Sequence, residues 1–273
     1  MGDRGWLNLA LYSLGQAYVI AGRYLDANRT LGRACAQLTE TNAVAPIGTT
    51  VQYLLLMCCM MKSVVNAMMG ELDTADHFHQ RAHGIASWSK RPFDRVAAAY
   101  CGGTLMLGRG DPSAAAIILE EAFALAQQHS IRLFVPMIAC QWGLAYLEQE
   151  QFDRAKKILA EARHGAKAIG YKSTELRASI YLAFALGRID DVHNAQIMLQ
   201  DTISAASQQG FSGLEAEARF YEALITPATN RDNRAKNIRN LQASMAISSR
   251  NGANPLLLKA QALFNTLFVG EEE

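Results

Sequence analysis

The sequence predicts an all-α solenoid of about six helical hairpins finished by one further helix, and recurrence carries most of that reading. Ala75, Ala115, Ala155, Ala195 and Ala235 stand forty residues apart, with Ala27 forty-eight before Ala75. A period held over that length marks stacked units, each burying a face on the next. The unit is clearest at 143–162, GLAYLEQEQFDRAKKILAEA. There Gly143 precedes Tyr146 by three, Phe152 opens a second helix, and Ala155, Leu159 and Ala162 follow at helical spacing. Half of the residues are hydrophobic and 19% are charged, a balance suited to helices that bury two faces. No stretch alternates in the manner of a strand.

In the first unit (4–40), Leu11, Leu14, Gly15 and Tyr18 give a helix over 7–21, and Ala27, Leu31 and Ala34 give its partner over 25–38. Gly22 is placed to end the first helix in a left-handed cap. The connection 39–48 contains Pro46 and accounts for the eight extra residues before the second unit (47–90), where Gly70 separates helices over 51–69 and 73–88. In the third unit (93–130) a helix over 93–107 runs into GRGDP, with Asp111 as cap and Pro112 in the first turn of the next helix. The fourth unit is 132–170. In the fifth (172–210) Gly187 comes three residues early, and Ala195 and Leu199 restore the phase. The sixth (212–250) has the loop ITPATNRDN, with Ala235 keeping the register. A terminal helix over 254–268 has Leu257, Leu258, Ala262, Leu263 and Leu267 on one face and Pro255 in its first turn. Thirteen helices are expected.

The 26 Lys and Arg nearly balance the 25 Asp and Glu, so no global field draws the chain to nucleic acid or to an anionic membrane. The five cysteines are odd in number and form no CxxC pair, which points to a reducing, cytoplasmic setting. The N-terminal MGDRGWLNLALYSLG lacks the apolar core and cleavage site of a signal peptide. The strongly apolar run 51–61 is too short to span a bilayer. No phosphate loop, dinucleotide fingerprint, HExxH or GxSxG occurs, so neither enzymatic activity nor a cofactor is expected. Arg154, Lys156, Lys157, Arg163 and Lys167 are interleaved with Asp153 and Glu161, the pattern of a solvated helix face.

The small residues Gly15, Gly103 and Gly143, the aromatics Tyr18 and Tyr146, and the alanines Ala27, Ala34, Ala115, Ala122, Ala155 and Ala162 resemble the tetratricopeptide repeat family. With a period of forty, phrases such as LAYLEQEQFDRAKKILAEA look like the repeat regions of bacterial signalling ATPases, maltose-regulator-like transcription activators and class III adenylate cyclases. His79 departs from the pattern in replacing a large apolar residue, and Ser63 in replacing the second unit's glycine. The resemblance implies a right-handed superhelix whose concave wall is lined by the first helix of each pair. It places on that wall Tyr12, Gln16, Met57, Met60, Val64, Tyr100, Thr104, Leu107, Met137, Cys140, Leu144, Ile180, Phe184 and Phe220.

Such an apolar wall calls for a cover unless it is packed between helices: an amphipathic helix of another protein, a second copy of the chain, or the chain's own last helix. The expected function is a non-enzymatic protein or peptide interaction module, a regulatory or adaptor segment in bacterial signal transduction. The alternatives are a small-molecule effector held inside the superhelix, with Tyr12, Tyr100 and Trp142 as platforms, and homodimerisation. The run MCCMMKSVVNAMM is expected to belong to the partner surface through Met57 and Met60, because methionine adapts to varied partners. His79 and His83, four residues apart on a helix, are a weak metal-ligand pair, with Asp76 and Cys58 or Cys59 as further donors.

Overall fold

A computed structural model of the protein describes residues 3–42, 49–189, 191–228 and 230–269. Among them are thirteen helices and no strand. The first three pairs are α1 (Asp3–Ala21) with α2 (Tyr24–Asn42), α3 (Thr50–Met69) with α4 (Leu72–Ser89), and α5 (Pro92–Gly108) with α6 (Pro112–Gln128). The next three are α7 (Phe134–Glu148) with α8 (Phe152–Ala168), α9 (Lys172–Arg188) with α10 (Val192–Gln208), and α11 (Ser212–Ile225) with α12 (Arg231–Asn251). The last helix is α13 (Asn254–Val269). Each helix packs on its sequence neighbours, and each odd helix from α1 to α11 also touches the next odd one. The odd helices therefore form the inner layer of a tetratricopeptide-like solenoid. Pro46, assigned to the long connection, lies outside the described residues.

The second helix of every pair presents one inward stripe at offsets of zero, four, seven and eleven residues, buried throughout except at the half-buried His79 of α4. Ala115, Leu119, Ala122 and Ala126 are almost wholly inaccessible, as are Ala155, Leu159, Ala162 and Ala166. In α12 the stripe is Asn237, Leu241, Ser244 and Ser248, all buried, while Ala235 is half-buried. The sixth register is thus set by Asn237, forty-two residues after Ala195, and not by Ala235 as the period suggests. The loop after α11 is the reason. Pro227 follows Thr226, and the Asn230 side chain restarts the helix by accepting from Asn233 N at 2.8 Å. The buried asparagines are used: Asn237 donates to Thr226 O at 2.9 Å, and Asn240 donates to Glu222 at 2.8 Å.

The glycines of the first helices mark where paired helices come closest. A Cβ at Gly15, Gly103 or Gly143 would lie 2.6, 2.5 or 2.4 Å from Leu31, Leu119 or Leu159, each sixteen residues on. The turns repeat as well. Lys90, Ser130, Gly170, Gly210 and Gly252 all take left-handed backbone after an outer helix, and the last step of forty-two residues repeats the shift seen in α12. Asp111 caps α6 as expected, accepting from Ala114 N at 2.9 Å, and Pro112 and Pro255 sit in first helical turns.

By length and composition α3 would cross a membrane, being longer than the apolar run 51–61. It is the one such helix among the described residues, and 83% of its apolar window is buried inside the protein.

The close approach has a measurable consequence. Gly143→Ala is expected to destabilise the protein by about 2 kcal/mol through overpacking against Leu159. Gly84→Ala, in the middle of α4 with nothing near its added methyl, is expected to stabilise by roughly 0.5–1 kcal/mol. Urea denaturation of both variants checks the pair, and equal effects would contradict the packing described.

Candidate functional site

Most of the wall inferred from the sequence is interior. Met57, Met60, Val64, Tyr100, Thr104, Cys140, Ile180 and Phe220 are all buried, and Tyr12 is 9% exposed. Gln16, Met137, Leu144 and Phe184 are half-buried. Rings explain much of this closure. Tyr100 stands edge-on to Phe134 with centroids 5.9 Å apart, and Phe184 lies 5.0 Å from Tyr221. The methionine run is core for the same reason. A lysine at Met57 or Met60 would bury a charge among Leu54, Leu55 and Val65, so neither position presents a surface to a partner in this conformation.

The solenoid closes on itself. Gly22, after α1, meets Gly213 at the start of α11, so near that a Cβ on Gly22 would lie 2.3 Å from Gly213 N. Ser212 Oγ donates to Ala21 O at 2.9 Å and accepts from Asn251 Nδ2 at the same distance. Leu25 packs beside Gly252. The first and sixth hairpins thus share a seam, and the Tyr24 side chain passes from it to the interior, where it is 5% exposed.

A cavity of about 300 Å³ remains at the centre. It is lined by the C-terminal parts of α5 and α7, by Tyr181 of α9, by the middle of α11 and by the first turns of α13. Of the residues expected on the wall, Thr104, Leu107, Leu144 and Phe220 face it. The rest of its chemistry comes from neighbours that apolarity does not single out. Gln141, Tyr181 and Tyr221 lie forty residues apart, and each follows by one a position assigned to the wall, namely Cys140, Ile180 and Phe220. One residue is about 100° of helix rotation, which separates Cys140 and Ile180, packed between helices, from Gln141 and Tyr181 at the channel, while Phe220 and Tyr221 both reach it. The forty-residue recurrence of polar and aromatic side chains at 141, 181 and 221 is the signal in the sequence that marks them.

The cavity floor is charged but internally compensated. Tyr181 Oη donates to Glu217 Oε1 at 2.6 Å, and Arg177 Nε lies 3.5 Å from Glu217 Oε2 with Tyr24 beside it. Burial, then the Glu217 carboxylate, holds the Tyr181 hydroxyl protonated far above the usual phenol range. At the rim, Glu148 Oε1 is 3.7 Å from Lys259 Nζ, and burial raises the Glu148 carboxyl above its ordinary value against the pull of that lysine. Two lining groups are left open. Gln141 Oε1 and Ser248 Oγ are buried and have no hydrogen-bond partner. Buried polar atoms in folded proteins are nearly always paired, with protein, water or ligand.

The histidine pair does not gather further ligands. The His79 and His83 rings are 6.2 Å apart, His79 Nδ1 faces Cys101 Sγ at 3.5 Å, and Asp76 is drawn to Arg109 at 3.0 Å. Among the described residues no three His, Cys, Asp or Glu side chains converge on a point that could hold a metal. Cys58 and Cys59 face Cys35 instead. The contact with Cys58, together with burial, pushes the Cys35 thiol up to about 12, and burial pushes Cys101 and Cys140 up to about 12, so these thiols are poor nucleophiles.

No protein-family model matches the sequence, and no curated protein matches it. Solved structures do share the fold. A Rap protein complexed with competence and sporulation factor is similar over 96% of this chain and 74% of that one, at 11% identity and a TM-score of 0.69. The Rap conjugation gene regulator of plasmid pLS20, in complex with the Phr* peptide, is similar over 94% and 72%, at 14% identity and a TM-score of 0.64. A signal transduction ATPase with numerous domains from Pyrococcus horikoshii, which carries a tetratricopeptide repeat sensor, is similar over 97% of this chain and 39% of that one, at 13% identity and a TM-score of 0.52. The chain therefore has the fold of tetratricopeptide-like helical repeats.

The seam can be weighed against backbone strain alone. Gly210→Ala, at φ 71° with open space around it, is expected to cost about 1 kcal/mol. Gly22→Ala, at φ 77° against Gly213, is expected to cost about 3 kcal/mol or more and to enlarge the radius of gyration in small-angle scattering. Similar costs for the two variants, with no change in dimensions, would mean that the ends are not in contact in solution.

Proposed function

We propose that this protein is a non-enzymatic peptide-binding module, a regulatory or adaptor segment in bacterial signal transduction whose ligand enters the central channel. The observation that carries the reading is the half-open central cavity, with Gln141 and Ser248 among the polar side chains that line it. A peptide backbone supplies N–H donors for both and leaves apolar side chains for Leu107, Leu144 and Phe220. Two of the similar structures are complexes, one with competence and sporulation factor and one with the Phr* peptide. The likeness in fold makes the same kind of occupant reasonable here. The five cysteines are all free and buried, which fits a reducing, cytoplasmic compartment.

Panning a random heptapeptide library on the immobilised full-length protein tests this. Enriched peptides are expected to bind the Gln141→Ala variant about tenfold more weakly, the equivalent of about 1.4 kcal/mol. They are expected to bind an outer-surface variant such as Glu121→Ala unchanged. Absence of enriched peptides, or binding indifferent to Gln141, rejects the channel as a peptide site.

A further inference from the structure

We infer that the channel mouth is a helix-docking groove and that α13 is its resident occupant, held there in cis and displaceable by an amphipathic helical segment of similar pattern. A helix that merely ended the array would lie on α12 and α11, as every odd helix after α1 lies on the two before it. α13 does rest there, with Ala260 fully buried and Leu263 and Phe264 joining Phe220 and Leu241. Its first turns reach much farther. Pro255 stands against Gly70, at the turn after α3, where an added Cβ would be 3.4 Å from the proline ring. Leu256 packs against both the apolar cluster that runs from the first hairpin to the fourth and takes in Ala253, and the one around Phe220 and Leu241. Lys259 meets Glu148 at the end of α7. One short helix therefore touches the second, fourth and sixth hairpins, across the end of the channel where α3, α5 and α7 finish.

The anchors fall at 255 and 256, 259 and 260, and 263, the spacing by which an amphipathic helix lies in a groove. Pro255, Leu256 and Lys259 line the central cavity, so a segment that took their place would also gain access to the channel. The hold on α13 across the ring is light. The Lys259 side chain is 62% exposed in its ion pair with Glu148, and such exposed pairs are weak. Left-handed Gly252, at φ 78°, separates α13 from α12 and supplies a pivot. A competitor is thereby specified: a proline at the first turn, a leucine beside it, a base one turn on and apolar residues after that. The inference goes beyond the peptide reading above and stands whatever the channel's own ligand is.

The test uses the full chain and a fluorescent peptide of residues 254–267, NPLLLKAQALFNTL. In the wild type the groove is filled, and the peptide is expected to bind poorly. Lys259→Glu, which sets two carboxylates against each other, is expected to speed amide exchange in α13 about fivefold, leave α8 unchanged, and tighten peptide binding by about the same factor. Adding Glu148→Lys to that variant restores an opposite pair and is expected to return both readings to wild-type values. Leu256→Ala, which removes an apolar anchor, should loosen α13 in the same direction. Unchanged α13 exchange in both Lys259→Glu and Leu256→Ala would overturn the inference. So would a peptide that binds wild type as tightly as the variants, or a charge swap that restores nothing.

Discussion

The contact on which the rest depends is the meeting of a glycine in the first helix with a leucine sixteen residues later in the second. At Gly15, Gly103 and Gly143 the leucine occupies the volume a side chain would fill. The two axes can then approach to the short end of the usual interhelical range. The contact recurs in the first, third and fourth hairpins, where it draws the two helices of each pair together. The second hairpin shows how a departure is absorbed. Ser63 stands in the glycine's place and His79 in the leucine's, and the space comes from the next hairpin, where a Cβ on Gly102 would lie 2.8 Å from His79 Cε1. Burial then lowers the basicity of His79 below that of a free imidazole.

Local recurrence is legible in the amino-acid order alone. The alanines at 27, 75, 115, 155 and 195 are each fully buried, as equivalent positions must be, and the turn and cap residues at Gly22, Gly70 and Asp111 act as their types suggest. The sixth hairpin misleads because an alanine happens to fall on the period. The working stripe there carries Asn237 and Ser244, which a search for small apolar residues passes over. At Gln141, Tyr181 and Tyr221 the inner wall lies one residue on from the position to which apolarity points. Apolar side chains suggest a ligand-facing surface, whereas the cavity has Gln141, Tyr181 and Glu217 beside Leu107, Leu144 and Phe220, and Met57, Met60 and Ile180 are packed between helices. The seam has no short-range signature. Gly22 and Gly213 are 191 residues apart, and nothing near either announces the other.

Polar contacts hold the sixth hairpin together and tie it to the fifth. Glu222, 2% exposed, takes hydrogen bonds from Gln200 at 3.1 Å and Asn240 at 2.8 Å and an ion pair from Lys236 at 2.7 Å. Ser244 donates to Ala216 O at 2.8 Å. Directional contacts of this kind fix orientation more tightly than apolar packing of equal area. They are placed where orientation matters most, since a small error in setting α11 and α12 would be carried to the seam and to the placement of α13.

Closure also changes how such an array responds to heat and denaturant. In an open stack the terminal units have one neighbour and fray first, so that melting proceeds inward from the ends. Joined through Gly22 and Gly213, this stack has no unit with a single neighbour. Unfolding any one hairpin must give up two interfaces at once, which favours loss of structure in one cooperative step. The same join couples residues near opposite ends of the chain, and contacts so distant in sequence slow folding.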